Sequence, residues 1–142
     1  MRASICCRRS ALGLAAAAIA TLTARARAAP AEHREFIAAA FKMRDDAVRA
    51  GDQPYGAVVV KDGRIIGFGP SRVVLRKDVT AHAEREAIRE AQARLGRGDL
   101  SGCVLYSSSR PCSACEAAAH DAKIARMYFG ADAADAGAPR KS

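Results

Sequence analysis

Hydrophobic side chains recur at helical spacing in the first strongly patterned segment of the chain. Between residues 32 and 50 they fall at i, i+4, i+7 and i+11, which places them on one face of an α-helix. Gly51 follows the segment, and glycine commonly ends a helix. The pattern predicts an amphipathic helix over residues 32–50 whose buried face is formed by Phe36, Ala40, Met43 and Ala47.

The next two hydrophobic runs have the composition of β-strands. Residues 55–60 are rich in valine, and residues 65–68 form a shorter apolar run. Asp62 and Gly63 lie between them, and Asp-Gly between two apolar runs is a strong hairpin signal, because both residues tolerate the backbone of a tight turn. The two runs therefore predict an antiparallel hairpin.

Residues 69–80 are polar and predict a loop, which a second helix and a third strand follow. Thr80 is a candidate N-cap for a helix that begins near Ala81 and ends before Gly96. The third strand is expected within residues 100–108.

A last helix and strand complete the pattern. Pro111 suits the start of a helix, because its missing N–H has no intrahelical partner there, and this helix extends to about residue 122. Residues 124–129 form the fourth predicted strand, whereas residues 131–142 predict only a turn or short helix and a tail. Strands that alternate with helices favour parallel pairing through helical crossovers. The predicted fold class is therefore α/β, a three-layer α/β/α domain with a central mixed sheet and helices on both faces.

Residues 1–28 have the three parts of an export signal in the required order. The pair Arg8-Arg9 precedes an apolar run, and an Ala-x-Ala cleavage pattern ends at residue 28. Paired arginines are typical of the twin-arginine route. We predict a signal over residues 1–28, a mature domain over residues 29–142, and a periplasmic or secreted location.

The alternative for this leader is a disordered extension on a cytoplasmic protein. Its apolar run, from Ala11 to Ala24, is shorter than the ~20 apolar residues that span a bilayer. We therefore expect no stable membrane anchor once the signal is cleaved.

The net charge of +8 would by itself suggest nucleic acid as a partner. Five arginines precede residue 29 and no acidic residue does, so the rest of the chain has 18 basic and 15 acidic residues, a net of +3. Most of the basic character belongs to the leader, so we do not expect nucleic acid as a partner of the domain.

Two short motifs contain the candidate chemistry. His82 and Glu84 lie at the predicted start of one helix, and Cys112 and Cys115 lie at the start of another. One imidazole and two thiolates are three ligands that tetrahedral zinc accepts, and a site with three protein ligands and one open position is the catalytic form. Helix N-termini also favour the negative charge of thiolates. The sequence predicts a catalytic Zn²⁺ held by His82, Cys112 and Cys115, with Glu84 beside its open position.

The cysteines and the histidine also admit less specific roles. A lone Cys-x-x-Cys can be a redox pair, and a structural zinc site would need a fourth ligand from His33, His120 or Cys103. Cys103 enters an apolar strand and is expected to be a buried thiol. His120 lies near the far end of the predicted Cys112 helix. Because His-x-Glu and Pro-Cys-x-x-Cys occur together in matching contexts, the catalytic site is preferred.

The two zinc motifs, with the segments around residues 54–60, 80–88 and 129–131, resemble the cytidine and deoxycytidylate deaminase superfamily, and within it the bacterial guanine deaminases and tRNA adenosine deaminases. The resemblance implies a cytidine-deaminase-like sheet of about five strands, one zinc per chain and usually a homodimer. It assigns His82, Cys112 and Cys115 as ligands and Glu84 as the proton shuttle. The substrate contacts that it suggests are Ser71, Ala57 and Asp121.

The chain also departs from that family. Ser71 stands where a base-binding asparagine is usual, Asp78-Val79-Thr80 where Asp-Pro-Thr is usual, and Asp121 where an aromatic residue or histidine is common. Arg110 replaces a common glutamate, and it is either a cleft residue or a solvated surface arginine. The tail is shorter than in guanine deaminases.

The expected activity is zinc-dependent hydrolytic deamination of a free nucleobase or nucleoside, with release of ammonia. A guanine-like purine is favoured on resemblance alone. The alternatives are a tRNA adenosine-to-inosine deaminase and a degenerate, zinc-bearing binding protein without catalysis.

Overall fold

The computed structural model describes residues 30–141, so the predicted signal over residues 1–28 lies outside the described residues. Within this range the chain forms four helices and five strands. The helices are α1 Ala31–Arg49, α2 Val73–Arg76, α3 Ala83–Leu95 and α4 Ser113–Asp121, and the strands are β1 Gly56–Lys61, β2 Arg64–Pro70, β3 Val104–Ser107, β4 Arg126–Phe129 and β5 Ala134–Gly137.

The five strands form one mixed sheet in the order β2-β1-β3-β4-β5. The predicted β1–β2 hairpin is confirmed, with Asp62 and Gly63 at its turn in the left-handed region. Parallel pairing is found for β3 and β4, which α4 connects, but β1 lies antiparallel between β2 and β3. The strands that α3 connects, β2 and β3, also run in the same direction, but β1 lies between them. Direct parallel pairing is therefore confirmed only for the α4 crossover.

Helices cover both faces of this sheet, as predicted. On one face, α1 packs Phe36, Ile37 and Met43 against side chains of β1 and β3. On the other face, α3 and α4 enclose a second core with Val59, Leu105 and Met127 among its members. The three-layer α/β/α architecture is confirmed.

Helix α3 lies unusually close to the edge strand β2. A Cβ atom built on Gly67 would lie 2.1 Å from the carbonyl oxygen of Ala87, and one on Gly69 would lie 2.0 Å from that of Ala83. Only glycine permits this approach without a shift of backbone. The first turns of α3 are consequently held directly against the sheet.

Three local predictions were wrong. Thr80 does not cap α3, because the helix begins at Ala83 and His82 is its N-cap residue. The Thr80 N–H and hydroxyl instead donate to Asp78 Oδ1, at 2.8 and 2.7 Å. The segment 69–80 contains the short helix α2. The tail contains the strand β5, which pairs with β4.

Among the described residues, no helix is both long and apolar enough to cross a membrane.

Candidate metal centre and active site

The N-termini of α3 and α4 meet at the end of β3. His82 is the N-cap residue of α3, and Cys112 is the N-cap residue of α4. Glu84 and Cys115 lie within the first turns that follow. All four predicted residues are therefore brought together, and each lies where unpaired backbone N–H groups favour negative charge.

The distances between the three donor atoms suit one tetrahedral ion. His82 Nδ1 lies 3.7 Å from Cys112 Sγ and 3.5 Å from Cys115 Sγ, and all three atoms fall within 4.8 Å of one another. Zinc bonds of ~2.0–2.1 Å to nitrogen and ~2.3 Å to sulfur at tetrahedral angles put those atoms about 3.6 Å apart. His82, Cys112 and Cys115 thus fit zinc in both donor chemistry and spacing.

The environment of Cys115 allows a thiolate only when a cation is bound beside it. Its side chain is fully buried, and burial together with the nearby Glu84 carboxylate raises the pKa of the thiol above its usual range. A thiolate is therefore unfavourable at this position unless a positive ion compensates it. A bound metal supplies that compensation.

Glu84 is oriented by β3. The residue is buried, with 5% of its surface exposed. Oε1 accepts a hydrogen bond of 2.9 Å from the Ser107 hydroxyl, and Oε2 lies 3.4 Å from Cys115 Sγ. One oxygen is thus anchored, while the other lies beside the three donor atoms.

A cleft of about 700 Å³ opens above these groups. Pro54 and Tyr55 contribute apolar surface, and Arg110 lies at its edge with Cζ 5.6 Å from the centre of the Phe129 ring. The space is adequate for a planar ring. It is lined by Gln53, Pro54, Tyr55, His82, Glu84, Ser109, Arg110 and Cys112.

Comparison with known proteins agrees with this geometry. The family model described as the cytidine and deoxycytidylate deaminase zinc-binding region matches residues 30–131. The chain belongs to this family. Zinc is the metal that the family implies, and the chain is accordingly an enzyme of the hydrolytic deaminase class.

Two curated members of the deaminase family are similar to the chain over most of their length. Guanine deaminase of Bacillus subtilis is 42% identical over 109 residues, which span 74% of this chain and 70% of the relative. The tRNA-specific adenosine deaminase of Agrobacterium fabrum is 41% identical over 108 residues, 76% of this chain and 71% of the relative.

Solved structures of the deaminase family share the fold. The structure of the Bacillus subtilis guanine deaminase has a TM-score of 0.67 and 41% identity, and the match covers 70% of this chain and 64% of that chain. Another relative, solved in complex with 2,6-diaminopurine, has a TM-score of 0.66 and 28% identity, with 68% of this chain and 55% of that chain covered.

The three predicted substrate contacts do not line the cleft of this deaminase. Ser71 is buried and donates its hydroxyl to Asp52 Oδ1 at 2.8 Å. Ala57 is buried beneath α3, opposite Ser107 in the sheet. Asp121 lies in a separate depression at the far end of α4, because six residues after Cys115 correspond to about 9 Å along the helix.

Ser71 and Ala57 thus adjoin the site from beneath, and their substrate contacts stay predictions. The geometry of the single chain does not support the assignment of Asp121.

Several site residues were missed by sequence reasoning. Ser107 could have been found, because strand alternation places it on the same face as Leu105, towards α3. Asp52 and Gln53 precede β1 in a short polar loop, and the start of β1 lies beside the end of β3, as the pairing of Ala57 with Ser107 shows. That neighbourhood depends on an antiparallel pairing that the sequence pattern did not indicate.

Proposed function

We propose that this chain removes an amino group from a purine nucleobase or nucleoside by hydrolysis, with guanine or a related ring as the favoured substrate. The observation that carries the proposal is the convergence of His82, Cys112, Cys115 and Glu84 at the base of a cleft. The similarity to guanine deaminase and to a relative solved with 2,6-diaminopurine supports a purine.

The chain's own residues would divide the work as follows. His82, Cys112 and Cys115 would hold Zn²⁺, which supplies Lewis acidity and lowers the pKa of its water to about 7. Glu84 accepts one proton from water as the water oxygen adds to the amino-bearing ring carbon, and it delivers that proton to the ring nitrogen. It then takes the proton of the new hydroxyl group and delivers it to the departing amino group. Ser107 positions Glu84 throughout, and Tyr55 provides a surface for the ring. The amino group leaves as ammonia and a carbonyl replaces it.

The test is an ammonia-release assay on zinc-loaded protein against guanine, adenine, cytosine and their nucleosides. We expect turnover of at least one purine, and Glu84→Ala protein that retains zinc should be inactive. Ammonia from none of the six compounds, at full zinc content, would contradict the proposal and favour a binding protein without catalysis.

Editing of tRNA is the second candidate, because the Agrobacterium fabrum relative is nearly as similar as the guanine deaminase. The net charge of +3 outside the leader provides little of the phosphate attraction that such binding uses. An arm of the assay with an adenosine-containing anticodon stem-loop tests it. Inosine formation there, without turnover of free purines, would replace the first proposal.

We also propose export and self-association. Replacement of Arg8-Arg9 by Lys-Lys should keep the protein in the cytoplasm, and fractionation that still finds it outside would contradict the twin-arginine assignment.

Exposed apolar side chains on α2 and the turn after it support a homodimer, and ultracentrifugation of the zinc-loaded protein tests it. These side chains are Val74, Leu75 and Val79.

A further inference from the structure

Besides the predicted metal ligands, Glu84 and the Tyr55 phenol, three polar side chains line the cleft. They are Gln53, Ser109 and Arg110. An amide and a hydroxyl can each donate and accept hydrogen bonds, whereas a guanidinium only donates. Arg110 is therefore the one group of the three that can distinguish an acceptor on a bound ring from a donor at the same place.

Arg110 is held at the cleft and its donors are available. It precedes Pro111 and Cys112 directly, so the start of α4 fixes its backbone, and Phe129 lies beneath the guanidinium. Within residues 30–141 it forms no ion pair with a carboxylate. Glu116, one turn along α4 from Cys112, is instead bonded to Arg140 through the backbone N and Nε, at 3.1 and 3.0 Å.

A guanine ring complements this arrangement. When its 2-amino group lies at the reacting centre beside Glu84, O6 and N7 are exposed on the opposite side of the ring. Both atoms are acceptors, and arginine binds this pair of atoms through two hydrogen bonds. 2,6-Diaminopurine has the same 2-amino group but carries an amino donor at position 6, which would oppose the guanidinium donors.

We propose that Arg110 is a specificity-determining residue that selects purines with an oxygen acceptor at position 6 over those with an amino group there. The inference rests on the proposed purine deamination and names the part of the ring that the cleft distinguishes. Arg110 would distinguish the two rings in two ways. Its guanidinium forms hydrogen bonds with guanine, and with 2,6-diaminopurine its N–H donors face the 6-amino donor and lack an acceptor.

The experiment compares loss of the 2-amino group from guanine and from 2,6-diaminopurine, with products identified by chromatography. Zinc-loaded full-length protein should favour guanine by roughly 10- to 100-fold in kcat/KM, the range of a good bidentate contact. Arg110→Met should reduce the ratio to within about threefold, mainly through a higher KM for guanine, and Arg110→Lys should give an intermediate ratio. Arg34→Met, the same replacement on the exposed face of α1 and outside the cleft lining, is the matched control and should leave the ratio unchanged.

An unchanged ratio in Arg110→Met would overturn the inference. The inference would also be overturned if Arg110→Met lost activity on phosphorylated nucleosides but not on the free bases. Arg110 would then bind phosphate rather than the ring.

If wild-type protein releases ammonia from neither base, calorimetry on zinc-loaded Glu84→Gln protein separates the two proposals. Tighter binding of guanine than of 2,6-diaminopurine, lost in the Arg110→Met double variant, would support the role of Arg110 while the proposed activity fails. Equal binding of the two bases would overturn it.

Discussion

The cleft has two sides that are built differently. The metal side is formed by His82, Glu84, Cys112 and Cys115, and the rim by Gln53, Pro54, Tyr55, Ser109 and Arg110. The metal-side groups are attached to the first turns of α3 and α4, and two of them, Glu84 and Cys115, are almost or completely buried. The rim groups come from the loops before β1 and before α4, and Tyr55 among them is 44% exposed. Packed helix starts hold the groups on the metal side, whereas the rim consists of loop residues with more exposed side chains.

The rim is nevertheless tied down at one buried point. Asp52 accepts hydrogen bonds from the Ser71 hydroxyl at 2.8 Å, the Gln53 N–H at 2.7 Å and the Leu75 N–H at 2.9 Å. Burial alone would raise its pKa, but these donors outweigh burial and hold the pKa of Asp52 below its usual value. A single carboxylate thus joins the cleft loop to the segment that leads to His82.

The largest effect is expected from removal of a metal ligand. Cys115→Ala should lose bound zinc and all detectable turnover, because two ligands hold the ion poorly. A chelator should lower the unfolding temperature of wild-type protein and leave that of the variant unchanged, since stabilisation by a bound ion reaches about 4 kcal/mol at 1,000 times its Kd. Metal analysis and thermal unfolding measure both.

Cys103→Ala is the matched control, because Cys103 is equally buried but lies outside the metal group. It should keep a full equivalent of zinc while stability falls modestly through a small cavity. Zinc loss in this variant, or retention in Cys115→Ala, would show that the ligands are assigned wrongly.

Glu84→Gln tests the reacting groups without removing the metal. Zinc content should be unchanged and kcat should fall about 10²- to 10⁴-fold, the range for a general acid–base group. Glu35→Gln, on the exposed face of α1, should have wild-type kinetics. The prediction fails if the Glu84 variant deaminates at the wild-type rate.

A smaller effect is expected at Ser107, which holds Glu84 but does not enter the cleft lining. Ser107→Ala should lower kcat roughly 10-fold or more, as loss of supporting hydrogen bonds does around metal sites, with little change in KM. Ser101→Ala, in an exposed turn, is the control. A change confined to KM would indicate that Ser107 acts on substrate binding instead.

The smallest effect on the chemistry is expected at Asp52, the buried carboxylate that holds the cleft loop. Asp52→Asn should raise KM more than it lowers kcat, and it should cost about 1–3 kcal/mol of stability because buried donors lose a charged acceptor. Wild-type protein should lose this contribution as the pH falls through the lowered pKa of Asp52, and keep it above the unfolded value near 4. The variant should show a weaker acid dependence of unfolding, and an identical pH profile would count against the anchor.

The sequence was sufficient where local pattern and chemistry agree. The hairpin at Asp62 and Gly63 and the helix end at Gly96 follow from local turn chemistry, and all are confirmed. The sequence also predicted that the two motifs converge. A histidine and a Cys-x-x-Cys pair at the starts of two helices can bind the same ion only if the two helix ends point towards it.

Features that depend on distant pairing could not be predicted. Strand β5 contains alanine, aspartate and glycine rather than β-branched residues, so its composition does not predict a strand. The strand is supported instead by hydrogen bonds from Arg126 of β4 to Asp135 of β5. The Thr80 cap was wrong because α3 begins at Ala83 rather than near Ala81, and Thr80 lies in a local turn in which its N–H and hydroxyl donate to Asp78. The resemblance suggested Asp121 as a substrate contact, but its position at the far end of α4 places it in a separate depression.

The close approach of α3 to β2 at Gly67 and Gly69 has a consequence for directed evolution. In a saturation library at these two positions, folded variants should contain almost only glycine. Any larger side chain would displace the helix that carries His82 and Glu84. The codons for Gln53, Ser109 and Arg110 should tolerate many replacements while the fold survives. Selection for a new substrate is therefore best directed at those three codons, with the glycines left out of the randomised set.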